Sequence, residues 1–259
     1  MDYRPLLLLA VLLLGCTGTK PPPQSEGSYY EIVWEHYGCS GGPCFIEYIV
    51  TWNGVVMKKE IQGNIRSRPT ILFAKADTAL ANEEIRYVAE NMLQGRNAEC
   101  EECRIYHVFY HGPEGTKWHA VEAEDASEFV LSVEERSERL FRSSEPQERF
   151  FIHLIYKKSG PTKDIHIFGD GTIIAEDFGK GEGELLSAGT GRIDPESLED
   201  ILDGFFSSQD NFQGCGRMGF EYSYIEAVDG DRYALVETCG AGETPADILF
   251  NRVLELVRE

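Results

Sequence analysis

The residues best suited to chemistry lie in mid-chain: Cys100-Glu101-Glu102-Cys103, followed by His107 and His111. Two thiolates and two imidazoles spaced C-x2-C-x3-H-x3-H are ligand types that hold zinc. Geometry restrains that reading, because residues 105 to 111 alternate like a strand. His107 and His111 then share one face but stand about 13 Å apart at roughly 3.3 Å per residue, too far for one ion. The same C-x-x-C could form a redox dithiol, which needs a helix N-terminus to lower the thiol pKa. Cys103 instead runs into a strand, and Glu101 and Glu102 would raise it. A structural disulfide, within the motif or from each cysteine to Cys39 or Cys44, is the favoured reading.

Two further motifs lose their meaning in context. Gly38-Cys39-Ser40-Gly41-Gly42 fits G-x-S-x-G, but a nucleophile elbow needs a helix directly after it, and Pro43 and a strand follow. Gly179-Lys180-Gly181-Glu182-Gly183 would repel phosphate through its glutamate and is followed by no GK[ST]. His153 and His166 fall in alternating strands and read as surface or satisfied core residues. No catalytic residue and no cofactor is assigned.

Location is set by the leader. Arg4 precedes nine apolar residues, Leu6 to Leu14, far short of the roughly 20 that span a bilayer, and the layout is that of a cleavable secretory signal. Leu13-Leu14-Gly15-Cys16 resembles the lipobox of prokaryotic (bacterial or archaeal) membrane lipoproteins. The resemblance implies a signal peptide over 1–15, cleavage before Cys16 and thioether lipidation of its sulfur. The chain would then be exported and anchored by lipid to the outer face of the cell membrane. Residues 16–28 carry the lipidated cysteine and a tether with three consecutive prolines, which favours an extended polyproline conformation. Of the 7 cysteines, Cys39, Cys44, Cys100, Cys103, Cys215 and Cys239 remain for bridging in an oxidising compartment. Six allow 15 pairings, and Cys215 with Cys239 is the first choice because the hairpin turning at Asp229-Gly230 brings their strands together.

The net charge is -20, unchanged when Asp2 and Arg4 leave with the signal. Nucleic acid is excluded as a partner, since this surface repels a polyanion and carries no basic stripe. Repulsion from anionic lipid holds the body off the membrane on its tether. Hydrophobic content of 42% is ample for packed cores.

The elements that position these residues repeat. Tyr30 to Trp34, Phe45 to Val50, a turn at Asn53-Gly54 and Val55 to Met57 are mirrored by Phe151 to Ile155, Ile165 to Phe168, a turn at Asp170-Gly171 and Thr172 to Ile174. Asn-Gly and Asp-Gly are hairpin turn residues. Helical stripes follow at Ile85, Val88, Ala89, Met92, Leu93 and at Leu198, Ile201, Leu202, Phe205, Phe206, the second capped by Asp194 with Pro195 at the first position. Hairpins over 105–122 and 220–237 match without a gap at an offset of 115. Closing helices open at Asp125-Ala-Ser-Glu128 and Thr244-Pro245-Ala-Asp247. The expected fold is therefore α+β, two tandem copies of a hairpin-helix-hairpin-helix unit over 29–145 and 148–259, each an antiparallel sheet with helices on one face. The turn Gly169-Asp170-Gly171-Thr172 and the cysteine-rich lead-in at Cys39 and Cys44 resemble a family of bacterial and archaeal exported domains of unknown function. That likeness implies no activity.

With an anchor, a tether and no catalytic set in workable geometry, the chain reads as an extracytoplasmic binding or structural lipoprotein and not as an enzyme. Its partners are the membrane, through the lipid, and an extracytoplasmic protein or small ligand. The alternative is an exported thiol-disulfide oxidoreductase or metal-binding protein acting through Cys100 and Cys103, with His107 and His111 as further metal ligands.

Overall fold

The computed structural model describes residues 26–36, 43–63, 67–92, 104–147, 150–157, 162–178, 185–207 and 222–239. The first half runs β1 (Tyr29–His36), β2 (Pro43–Thr51), β3 (Val55–Gln62), β4 (Thr70–Lys75), α1 (Thr78–Asn91), β5 (Arg104–Gly112), β6 (Gly115–Glu122), α2 (Glu128–Ser143) and β7 (Glu145–Gln147). The second runs β8 (Phe151–Lys157), β9 (Thr162–Phe168), β10 (Thr172–Phe178), β11 (Leu185–Arg192), α3 (Pro195–Ser207), β12 (Tyr222–Asp229) and β13 (Arg232–Cys239). All strand pairs are antiparallel. One sheet has the order β6-β5-β1-β2-β3-β4-β7 and the other β11-β10-β9-β8-β12-β13. Read from the opposite edge, the second sheet follows the same path as the first up to β4.

The expected α+β unit is overturned. Among the described residues strand outweighs helix, 57% to 26%, and a four-stranded meander, not a hairpin, precedes the first helix of each half. Strands β4 and β11 complete these meanders. The sheet faces away from the helices are not left to water either, because they pack against each other. Tyr29, Ile49, Val55, Met57 and Phe73 of the first sheet meet Phe151, Phe168 and Ile174 of the second.

Period-two alternation then gives every central strand two buried faces. On the first sheet's outer face, Tyr30, Ile32, Tyr48, Val50 and Val56 pack under Ile85 and Val88 of α1 and Val130, Val133 and Leu140 of α2. On the second, Ile152, Leu154, Ile165, Ile167 and Ile225 pack under Leu198 and Leu202 of α3. The layers run helix, sheet, sheet, helix, and each fully buried Ile, Leu or Phe contributes about 1.5–3 kcal/mol.

Caps and turns fix the ends. Asp77 accepts from the backbone of Ala79 and Leu80 at the start of α1, and Asp194 accepts from Glu196 N at 3.2 Å at the start of α3. The second helix begins later than the sequence suggests: Ala123–Asp125 forms a 3-10 turn, and Ser127 caps α2 by accepting from Val130 N. Gly54 (φ 86) and Gly171 (φ 85) supply the left-handed residues of the β2–β3 and β9–β10 turns. A side chain at either would strike a backbone carbonyl, that of Ala76 or of Ile193. Each glycine's own carbonyl accepts from that same residue at 2.8 Å. The two turns touch across the sheets, where Asn53 Nδ2 donates to Asp170 Oδ2 and Thr172 Oγ1, both at 2.9 Å. Among the described residues, no helix is long and apolar enough to cross a membrane.

Candidate functional site

Strand parity sends a set of ionisable side chains into the seam between the sheets. From the first sheet come Glu31 on β1, Glu47 on β2 and Lys59 on β3; Glu47 and Lys59 are direct cross-strand partners. From the second come His153 on β8, Asp164 and His166 on β9, Glu176 on β10 and Glu226 on β12. His153 lies opposite both His166 and Glu226, and Glu176 opposite Asp164. All of these except Asp164 are buried, at 0–7% exposure. Five carboxyl groups therefore share a low-dielectric seam with one ammonium and two imidazoles.

Their contacts divide the set. Glu226 is satisfied: it accepts from Lys59 Nζ at 2.5 Å and from the Tyr233 hydroxyl at 3.0 Å. Burial pushes its carboxyl up, but His153 and Lys59 outweigh that and bring it down to about 2. Burial likewise acts to lower Lys59, and Glu226 and Glu47 hold it above its ordinary value. Glu176 accepts from the Tyr29 hydroxyl, yet burial and the charge of Asp164 push it up to about 8. Burial, with Glu176 and Glu47 nearby, also raises Glu31 well above the carboxylate range.

The second group centres on the histidines. The imidazoles of His153 and His166 stack with centroids 4.3 Å apart. His153 Nε2 lies 2.7 Å from Asp164 Oδ1; burial lowers this imidazole, but Asp164 and Glu226 more than compensate and hold it at about 9. His166 goes the other way, lowered by burial and by neighbouring His153 to about 3. Among the described residues, neither nitrogen of His166 has a hydrogen-bond partner, and Glu47 Oε1, Glu31 Oε2 and His153 Nδ1 are also buried without one. Such orphans are few in folded proteins and each calls for a cause. One ligand atom from each of His153, Asp164 and His166 lies within 4.8 Å of the others, a grouping able to hold a metal ion. Asp164 keeps 20% of its side chain exposed, so solvent reaches the group from that side.

The residues singled out in the sequence fare differently. Cys16, Cys39, Cys100, Cys103 and Cys215 lie outside the described residues, and Cys239 ends β13 with its side chain outside them. Cys44 is wholly buried on β2 and disulfide-bonded. His107 and His111 lie on β5, on its seam-facing side. They are not brought together: His107 stacks on Phe109, and His111 Nδ1 meets Thr116 Oγ1 at 3.0 Å. His153 and His166, read as surface or satisfied core residues, are instead buried with unpartnered nitrogens. Their signal was present as ionisable residues at one parity of strands that are apolar at the other.

No family model matches the chain, and no curated protein matches it. Among solved structures, the DNA polymerase III subunit beta of Pseudomonas aeruginosa is 9% identical with a TM-score of 0.16, over 98% of this chain and 66% of that one. A ligand-bound DNA polymerase sliding clamp from the same organism is 10% identical, with the same TM-score and coverage. The chain spans 66% of the length of each, and a likeness this slight carries no weight for fold or function.

Proposed function

We propose that the chain is an exported binding lipoprotein, anchored by Cys16 at the outer face of the membrane, whose ligand is a cation held in the seam between the two sheets. The observation that carries the binding role is the surplus of carboxyl groups beside a buried, unpartnered His166. A buried charge is tolerated only when paired: with Glu31 and Glu176 raised toward their neutral forms, the remaining carboxylates face Lys59 and a protonated His153, and a cation that displaces the His153 proton takes over that pairing. The leader and tether support the anchored location, and no thiol chemistry is required.

The test uses full-length protein taken from membranes. The expected mature chain begins at a lipidated Cys16 and partitions into detergent, and native mass spectrometry finds one bound cation that acid releases. An unmodified Cys16 removes the anchor. A protein that carries no cation and takes up none on dialysis removes the binding role.

A further inference from the structure

His166 Nε2 faces Glu47 Oε1 at 3.6 Å and Asp164 Oδ1 at 3.7 Å. Both spacings are too long for hydrogen bonds. They are close to the separation of about 3.3 Å between donors around a tetrahedral ion bound at about 2.0–2.1 Å. His153 Nε2 lies 2.7 Å from Asp164 Oδ1, and His153, Asp164 and His166 form one grouping with Glu47 beside it at His166. Building on the cation-binding reading above, we propose that the seam binds one divalent first-row transition ion of the zinc class through His153 Nε2, His166 Nε2, Asp164 and Glu47.

The donor chemistry selects the ion class. Two imidazoles suit zinc, copper, nickel or iron, whereas calcium and magnesium take oxygen ligands. Bound geometry requires rearrangement: the two imidazoles, stacked with centroids 4.3 Å apart, must tilt apart so that both Nε2 lone pairs meet the ion, and Glu47, which stands outside the 4.8 Å grouping of the other three, must swing in from its place beside His166 Nε2. Glu226 is no competitor, being held by Lys59 and Tyr233, but its Oε2 stands 3.8 Å behind His153 Nδ1. That separation is too long for a hydrogen bond, but a shift of His153 onto the ion that closed it would give the carboxylate–histidine–metal arrangement that orients a ligating imidazole. With Asp164, Glu226, Glu47, Lys59 and a divalent ion, three negative charges meet three positive.

Both halves of the chain contribute ligands at matching positions. Glu47 precedes Tyr48, which pairs with Ile32 of β1, and Asp164 precedes Ile165, which pairs with Leu154 of β8. Since β1 and β8 hold corresponding places in the two sheets, Glu47 and Asp164 are structural counterparts that meet at one imidazole. An ion there ties sheet to sheet, a role that neither half fills alone.

The experiment titrates chelator-stripped full-length lipoprotein with cobalt(II) as the probe, followed by zinc displacement. The expected spectrum has visible bands of a tetrahedral site without thiolate charge transfer, at one cobalt per chain, and zinc raises the melting temperature. Cys100→Ser with Cys103→Ser leaves both unchanged, which separates this site from the cysteine motif. His166→Gln and Glu47→Gln each weaken binding by more than about 100-fold, beyond what the loss of a residue that only orients a ligand causes. Circular dichroism identifies any variant that fails to fold, and Asp164→Asn then serves in its place. Full cobalt affinity in folded His166→Gln, or loss of the bands in the double serine variant, overturns the assignment. A seam that binds calcium or sodium but not cobalt overturns this inference and leaves the broader reading standing; one that binds no cation defeats both.

Discussion

Lys59 Nζ and Glu226 Oε2 lie 2.5 Å apart, 167 residues distant in sequence and on different sheets, with side-chain exposures of 5% and 1%. An ion pair this dry gains strength from the low dielectric but has given up the hydration of both partners, so its net contribution is small while the loss of one partner is severe. Lys59→Met is expected to destabilise by about 3–5 kcal/mol in urea unfolding. Adding Glu226→Leu should restore part of that loss, because no uncompensated charge then remains. A single variant as stable as the native chain would show that water or another cation already serves Glu226.

Gly54 and Gly171 should be equally intolerant of substitution. Alanine at a left-handed position costs roughly 1 kcal/mol in backbone strain alone, and here its methyl group also meets the carbonyl oxygen of Ala76 or Ile193. Each Gly→Ala change is expected to cost more than that strain, and Gly230→Ala less, since among the described residues nothing lies within 4 Å of a side chain there. Equal losses at all three positions would mean that strain alone matters and the carbonyl contacts do not.

Phe151 joins the apolar seam to the polar one. Its ring lies 5.6 Å from Phe73, 5.7 Å from Phe168 and 5.8 Å from His166, and it is wholly buried. Phe151→Ala is expected to lower stability by about 3–5 kcal/mol. It should also loosen His166, readable as a broadened imidazole resonance in NMR spectra. A stability loss with His166 unmoved would show that the stacked histidines are held by Asp164 alone.

Local signals in the sequence were legible where a single element carries them. The turns at Asn53-Gly54 and Asp170-Gly171, the stripe from Ile85 to Met92 and the Asp194-Pro195 start each rest on neighbouring residues. Strands β4 and β11 were not legible: Thr70–Lys75 follows a polar lead-in, and Gly189 and Gly191 interrupt Leu185–Arg192 with residues that weaken strand patterning. The site was hidden for a different reason. Helices on one face of a sheet assign the alternate positions to water, so Glu31, Glu47, Lys59, Glu176 and Glu226 pass for a solvated face. Only the packing of sheet on sheet turns that face inward, and the register that sets Glu47 against His166 involves contacts more than a hundred residues apart, which periodicity along one chain does not contain.

Glu138 offers a pH test away from the seam. On α2 it accepts from the Tyr48 hydroxyl, from Lys58 Nζ at 3.1 Å and from Arg142 Nε at 2.5 Å. Burial acts to raise its carboxyl, but the donors from Tyr48, Lys58 and Arg142 outweigh that and hold the pKa below its ordinary 4.5. A carboxyl depressed in the folded state stabilises the protein above its unfolded value, and the contribution disappears as pH falls through the folded one. The stability difference between the native chain and Glu138→Gln should therefore be constant near neutrality and shrink as the pH is taken below 4.5. Because the seam carboxyls titrate in both proteins, their contribution cancels in the difference. Unfolding curves measured at a series of pH values provide the check, and a difference that stays flat into acid would show that the three donors pair with the glutamine as well as with the carboxylate.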